Sequence, residues 1–405
     1  MHSIAEKVGV IHCSVMPERL FTRAFVAVFA ANAFQELAWS LFLHFPGYLH
    51  ELGADEIQIG ILVGVTAIAS IVVRPWIGAA MDLRGRRQVI IAGNILHVAV
   101  LALYLTVTTL GPWIYIVRIL HGLASAMLFT SLFTYAADVV PASRRTQGIA
   151  IFGISGLMPI GLGGVLGDLI LNVGDFTTLF IVAVALAGGA LLMALPLHDV
   201  PSTDSAEKRR GFWVSLGQED LRPLWLAAFV FSLSLATFFT FLKTFVIETG
   251  IGSVGLFFAV YTGTAVGLRL IAADLPDRIG HKRVMFPAFG ALAAGFLVLS
   301  QANGATDMAI AGFLSGIGHG YVFPIMFGMV VTRARVSERG SASAIFTAVF
   351  DVGTLVGGPL FGLAIRLGDY RAMWILAAAL VVGGTAAFAA WDRRAVVNRE
   401  HVGVG

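Results

Sequence analysis

Arg74-Pro-Trp-Ile-Gly78-Ala-Ala-Met-Asp82-Leu-Arg-Gly85-Arg86-Arg87 closes one long apolar stretch, and Arg269-Leu-Ile-Ala-Ala273-Asp-Leu-Pro-Asp277-Arg278-Ile-Gly280-His-Lys282-Arg283 closes another. Arg, a small residue, Asp, Gly and a basic residue recur at the same spacing with an offset of 195 (269 against 74). A second echo, Gly148-Ile-Ala150-Ile151-Phe152 against Ala342-Ser-Ala344-Ile345-Phe346, has an offset of 194. Two halves of the chain therefore read as one structure used twice, related by an axis along the membrane normal.

The composition around these segments sets their environment. The 405 residues are 58% hydrophobic and only 13% charged, against about 25% charged in soluble proteins. Apolar stretches of about 20 residues or more, each enough to cross a bilayer, fall near 20–43, 57–81, 88–110, 113–137, 148–170 and 176–197. The second set falls near 223–247, 253–275, 284–302, 308–332, 342–366 and 372–391. The expected fold is an all-α membrane protein of twelve transmembrane helices in two pseudo-symmetric six-helix bundles. Its expected divisions are a cytosolic tail (1–19), an N-terminal bundle (20–197), a cytosolic linker (198–222), a C-terminal bundle (223–391) and a second cytosolic tail (392–405). The linker contains the longest polar run, Pro201 to Arg210. This composition leaves no room for a large soluble catalytic domain or a nucleic-acid-binding domain. One cysteine, Cys13, offers neither an intramolecular disulfide nor a thiolate metal site.

Loops rich in Lys and Arg stay on the cytosolic side. With the N-terminus inside, 21 of the 27 basic residues fall on the inner side and only Arg366 and Arg371 on the outer side. Both termini and the linker are therefore expected in the cytosol. Arg74, Arg118, Lys243 and Arg269 remain within spans.

Gly78-x3-Asp82-x2-Gly85-Arg86-Arg87, in an inner loop after the second of twelve spans, resembles the signature loop of the major facilitator superfamily. The resemblance runs over residues 20 to 391 and implies alternating access between the two bundles. Asp138-Val-Val-Pro141-Ala-Ser-Arg144-Arg145, Gly316-Ile-Gly318-His319-Gly320-x3-Pro324 and Phe350-Asp351-Val-Gly353 resemble bacterial exporters of the drug and sugar efflux type. Two positions depart from the pattern. Ala273 replaces a glycine in the second loop, and the Gly-Pro pair that antiporters of the family carry in span five reads Gly163-Gly164, while Gly358-Pro359 stands in span eleven. Gly78, Asp82, Gly85, Arg86, Arg87, Asp277, Arg278, Gly280 and Lys282 are the expected gating-loop residues, holding the cytosolic side closed in one state; Arg84, Arg86 and Arg87 also serve to fix topology.

Charge inside the membrane is the sharper signal, because it is costly unless paired or hydrated. Glu36 lies eight residues before His44, the expected outer end of span one, and so ~12 Å deep. Arg118, six residues after Pro112, is then ~9 Å deep, which permits an ion pair. The resemblance implies that a span-one carboxylate beside a span-four arginine couples protons. Asn32 and Trp39 share the face of Glu36, and His121 shares that of Arg118. His319, in span ten between Ser315 and Phe323, suits either proton traffic or tight packing, since Gly312, Gly316 and Gly320 form a small-residue stripe. Asp351 continues the stripe Ser343-Thr347-Asp351 and is the second candidate for protonation. Lys243, with Phe239 on its face, can greet an anionic group or snorkel to the surface. Arg74 and Arg269, at equivalent repeat positions, are expected to share a structural or gating role.

Proton-coupling residues are thus expected to be Glu36, Arg118, Asp351 and His319. Expected to line the substrate cavity are Asn32, Trp39, His121, Ser315, Phe323, Phe239 and Lys243. Without a Walker spacing the energy source is an ion gradient, and the expected activity is proton-coupled export of a small organic molecule. The chain is expected to act as a monomer in a bacterial-type inner membrane, with no cofactor, metal or nucleic-acid partner. Proton-driven uptake through the same residues, a receptor without flux and an intramembrane enzyme are the competing classes; no HExxH accompanies the last.

Overall fold

The structure, a computed structural model, describes residues 20–141, 144–199, 216–335 and 338–402. The expected N-terminal tail, most of the linker and the last three residues lie outside them. Among the described residues, twelve helices are long and apolar enough to cross a membrane. They are α1 (Arg23–Glu51), α2 (Glu56–Arg84), α3 (Arg86–Leu103), α4 (Pro112–Val139), α5 (Arg145–Val173) and α6 (Phe176–Ala194). The second set is α7 (Arg222–Thr249), α8 (Val254–Ile271), α9 (His281–Leu299), α10 (Ala305–Arg333), α11 (Arg339–Leu367) and α12 (Tyr370–Val402). Only helices, or closed barrels, satisfy every backbone polar group within lipid, so the apolar runs fold this way. Between them, side-chain caps supply the missing partners: Asp55 forms a capping box with Gln58, and Asp175 and Ser253 accept from the first turns of α6 and α8.

Helix pairing repeats between the halves. In the first, α1 packs on α5 and α6, α4 on α2 and α3, and α3 on α6. In the second, α7 packs on α11 and α12, α10 on α8 and α9, and α9 on α12. Each pairing has its counterpart six helices on, which is the pseudo-symmetry the sequence repeat implies. Gly85 (φ 85°) and Gly280 (φ 104°), equivalent under that repeat, both adopt positive φ where one helix ends and the next begins. Other residues pay a steric penalty there, so these glycines are demanded by chain reversal.

Two seams join the bundles: α2 along α11, and α5 along α8. Both are built on glycine. A Cβ on Gly60 would collide with the Gly358 backbone, and one on Gly362 with the Glu56 backbone. Across the other seam, Gly161 lies against the backbone of Phe258, and Gly255 against that of Val165. These approaches cluster toward the face opposite the termini, hereafter the far face. Gly78 and Gly267, toward the terminal face, have nothing within 4 Å of such a Cβ.

Boundaries differ from expectation most at the two ends of the set. The first span does not end at 43; a 3₁₀ turn (Leu41–His44) leads into a further helical segment, Phe45–Glu51. Pro46 sits in the first turn of that segment, where its missing N–H costs nothing. The last helix runs on to Val402, past the expected end at 391.

Overpacking a seam should be felt where backbones touch and nowhere else. Gly60→Leu should destabilise the protein by about 1–3 kcal/mol and lower its melting temperature in detergent, whereas Gly78→Leu should leave it unchanged. Equal melting temperatures for the two variants would contradict the seam geometry.

Candidate functional site

The seams bring together side chains from remote parts of the chain. On the α2–α11 seam, Arg74 donates from Nε (3.0 Å) and Nη2 (2.6 Å) to Oδ2 of Asp351. Both side chains are largely withdrawn from solvent, at 17% and 22% exposure. Asp351 stands sixteen positions along α11 from its far-face end at Leu367, ~24 Å of rise, deep within the span. This is an ion pair between the two bundles, and neither partner is near the other in sequence.

At the far face, His44 of α1 bonds through Nε2 to Oδ1 of Asp168 on α5 (2.9 Å), and Oδ2 of Asp168 accepts the backbone N–H of Gly255 at the start of α8 (2.6 Å). One carboxylate thus ties two helices of the first bundle to the second. The carboxylate also faces a helix N-terminus, where negative charge is favoured. The Lys243 stem lies against Gly47 of α1, and its ammonium is within electrostatic reach of Asp168 and Glu51. Lys243, expected in the substrate cavity, thus stands beside this far-face latch. His44 and Asp168 were not recognised as partners from sequence; a histidine and an aspartate inside apolar spans were the available signal.

Arg118 and Glu36 are not paired. Arg118 donates to the carbonyl oxygens of Leu62 (2.8 Å) and Val63 (2.9 Å) and to the Tyr104 hydroxyl (3.3 Å), and its guanidinium lies over the Phe45 ring at 4.8 Å. Phe45 is nine positions beyond Glu36, ~13 Å of rise, so the carboxylate is well below the arginine. The equal-depth expectation failed because α1 continues past His44. Among the described residues no hydrogen bond or ion pair reaches the Glu36 carboxylate.

The other expected cavity residues have the following surroundings. His121 is buried inside the first bundle, where its Nδ1 meets the Tyr104 hydroxyl (3.0 Å) and its ring lies 5.4 Å from that of His97. Ser315 is fully buried against Gly295 of α9, because the α10 face that carries it turns into its own bundle. Both are interior groups. Asn32 donates to Ser155 Oγ on α5 (2.9 Å). Phe239 packs on Phe258 (5.4 Å). Phe323 joins Phe346 and Phe350 beside His319. Trp39 is half-buried on α1. His319 Nδ1 bonds to the Tyr261 hydroxyl, and Gly312 and Gly316 seat α10 on the backbone of α8.

The loop motifs make their described contacts within each bundle. Arg86 pairs with Asp138 (3.0 Å), while the Arg87 backbone N–H donates to Asp199 (3.0 Å) and its side chain to Leu197 O (2.5 Å). In the second half, Asp392, 1% exposed, receives both Lys282 and Arg333. Arg278 pairs with Asp274 and His281 with Asp277 at the surface. Arg87 and Lys282, equivalent under the repeat, thus each bind the terminal-face part of the last span of their bundle or the residues just after it. The side chain of Asp82 lies outside the described residues.

A helical repeat joined along two seams, with ionisable groups on and between them, is the architecture of a membrane transporter. The sequence profile of the Major Facilitator Superfamily matches residues 24–305 and again 224–403, and the chain belongs to that family. It is 25% identical over 357 residues to the uncharacterised MFS-type transporter PA1993 of Pseudomonas aeruginosa, covering 86% of this chain and 88% of the relative. It is also 25% identical over 347 residues to the uncharacterised MFS-type transporter YhhS of Escherichia coli K12, covering 83% and 84%. Among solved structures, the nucleoside transporter NupG superposes with a TM-score of 0.72 at 15% identity, covering 91% of this chain and 99% of that one. A POT-family transporter in complex with a thioalcohol-conjugated peptide superposes with a TM-score of 0.76 at 12% identity, covering 92% and 96%. The chain is thus a secondary transporter of the family and an integral membrane protein, not an enzyme.

If Arg118 serves to lock α2, α3 and α4 together, its loss and that of Glu36 should be independent. Melting of Glu36→Gln, Arg118→Met and the double variant should give a coupling energy within ~0.5 kcal/mol of zero, with the Arg118 variants alone destabilised. A larger coupling would restore the ion pair. Separately, Asp168→Asn should weaken the far-face latch and lengthen spin-label distances between the far ends of α1 and α7; unaltered distances would remove its latching role.

Proposed function

We propose that the protein is a proton-coupled exporter of a small organic solute, working by alternating access between its two bundles. The observation that carries the coupling is the Arg74–Asp351 pair. An ionised carboxylate is held in the membrane interior by one cation across a seam that must rearrange when the bundles rock. Protonating Asp351 removes its charge and weakens its hold on Arg74; releasing the proton restores both. Proton occupancy and the state of the α2–α11 seam are then linked, each biasing the other. Glu36, a second carboxylate in the spans, is the rival, and His319 is a relay candidate through Tyr261.

The distribution of 21 basic residues against two supports an orientation with both termini and the linker cytosolic, in a bacterial-type cytoplasmic membrane. Export is supported by the resemblance of the Asp138–Arg145 and Gly316–Pro324 segments to efflux proteins. The far-face latch also agrees with a resting state open toward the terminal face, where an exporter loads. A monomer suffices, because both seams lie within one chain.

The test is proton flux in vesicles. Purified protein in proteoliposomes with an internal pH dye and an imposed pH gradient should show solute-dependent proton movement when screened with drugs, sugars and nucleosides, the last because one structural neighbour is a nucleoside transporter. Asp351→Asn should reduce gradient-driven accumulation to background while leaving counterflow of unlabelled against labelled solute. Full coupling in that variant with loss in Glu36→Gln would move the proton to α1. No dependence of flux on the gradient in the unmodified protein would sink the proposal, and the sign of net flux decides export against uptake.

A further inference from the structure

The four intramembrane cations are not treated alike. Arg74 has Asp351, Arg118 has two carbonyls, a hydroxyl and an aromatic face, and Lys243 has Asp168 and Glu51 nearby. Arg269 has none of these. Among the described residues no carboxylate lies within ion-pair distance of it and no hydrogen bond involves it. Its Nε is sealed from solvent without a partner, whereas its two terminal nitrogens are not sealed.

The repeat makes this asymmetry pointed. Arg269 is the counterpart of Arg74 at an offset of 195, and at the offset of 194 that relates α5 to α11 the counterpart of Asp351 is Leu157. The guanidinium does reach the equivalent seam: its Nη1 lies 4.0 Å from the place a Cβ on Gly153 of α5 would occupy. Leu157 is one turn from Gly153 on the same face. Arg269 itself lies on the face of α8 that carries Phe258 and Thr262, which meet Gly161 of α5. So the second seam keeps the arginine and lacks the acid. An unpaired guanidinium in a low-dielectric site is strongly unfavourable, and an anionic guest at that site would relieve the cost. Tyr261 and His319 stand within its electrostatic reach, with Phe323 beside the imidazole. On α5, Ser155 is held by Asn32 of α1.

We propose that Arg269 binds the anionic group of the transported solute, so that the substrate is a small organic anion whose carboxylate or phosphate completes on the α5–α8 seam the pair that Asp351 completes on α2–α11. This rests on the reading of the chain as a transporter. A guanidinium takes a planar oxyanion through two parallel N–H donors, which an ammonium does not reproduce. The aromatic group beside His319 suits an apolar or ring-bearing body. An anionic lipid headgroup offers the same oxyanion, and the test separates it from a solute.

The full-length protein in neutral detergent micelles would be titrated with benzoate and phenyl phosphate, and with benzamide as the neutral control, following thermal unfolding. Either anion should raise the melting temperature in a saturable manner, and benzamide should not. Arg269→Gln should fold, with a melting temperature no lower than that of the parent, and should bind at least roughly tenfold more weakly, the loss of about 1.4 kcal/mol. Arg269→Lys should fall between. Leu157→Asp should supply the missing acid, raise the melting temperature and abolish the response to both anions. The proposal is overturned if Arg269→Gln responds like the parent, if neither anion acts, or if only phosphatidylglycerol, and not phosphatidylcholine or the two anions, gives an Arg269-dependent shift. Since this reads binding without flux, an anion response in a protein that moves nothing would sink the transporter reading alone, and active transport without an anion response would sink only this assignment.

Discussion

A charge placed within a bilayer must find a partner, and this constraint organises the molecule. It draws Arg74 across a seam to Asp351, folds Arg118 onto carbonyls of α2, and gathers His44, Asp168 and the Gly255 N–H at the start of α8 at one face. Each solution joins helices that apolar packing alone would leave free to slide, because lipid chains compete on equal terms with other apolar side chains. The apolar residues create the spans; the few polar ones determine which spans stay together.

The two bundles share one plan, and their differences lie where chemistry is needed. Both use a positive-φ glycine to reverse the chain and a basic residue shortly after it to fasten the last helix of the bundle. The motif loops therefore act first as fasteners within each half. Among the differences between the halves are two acidic positions, Asp351 against Leu157 and Glu36 against Phe231, together with a far-face latch that draws on α1, α5 and α8.

Much of the fold was legible in the sequence because its determinants are local. Span length and apolar composition depend on neighbours along the chain, and the repeat at 195 residues relates Gly85 to Gly280 without any knowledge of contacts. The site was less legible. Depth was counted from His44 as though it ended a span, yet the chain continues as helix to Glu51, with Pro46 harmless in its first turn, and the error displaced Glu36 by about two turns. Arg74 and Asp351 are separated by 277 positions, and nothing in either local segment says that α2 faces α11. Likewise, helical spacing put Ser315 and His121 on faces with plausible partners, but which face turns toward its own bundle is decided by packing.

The glycine seams bear on how fast the molecule can change shape. Helices that meet through knobs and holes must move side chains out of rotamer wells before they part, and that unlocking adds to the barrier. At Gly60 and Gly358, and at Gly161 and Phe258, backbone meets backbone; the surfaces are smooth and offer little to disengage. Friction between the bundles is accordingly low. In the proposed alternating-access cycle, the time spent in each orientation then depends on a few discrete polar bonds such as Arg74–Asp351 and His44–Asp168.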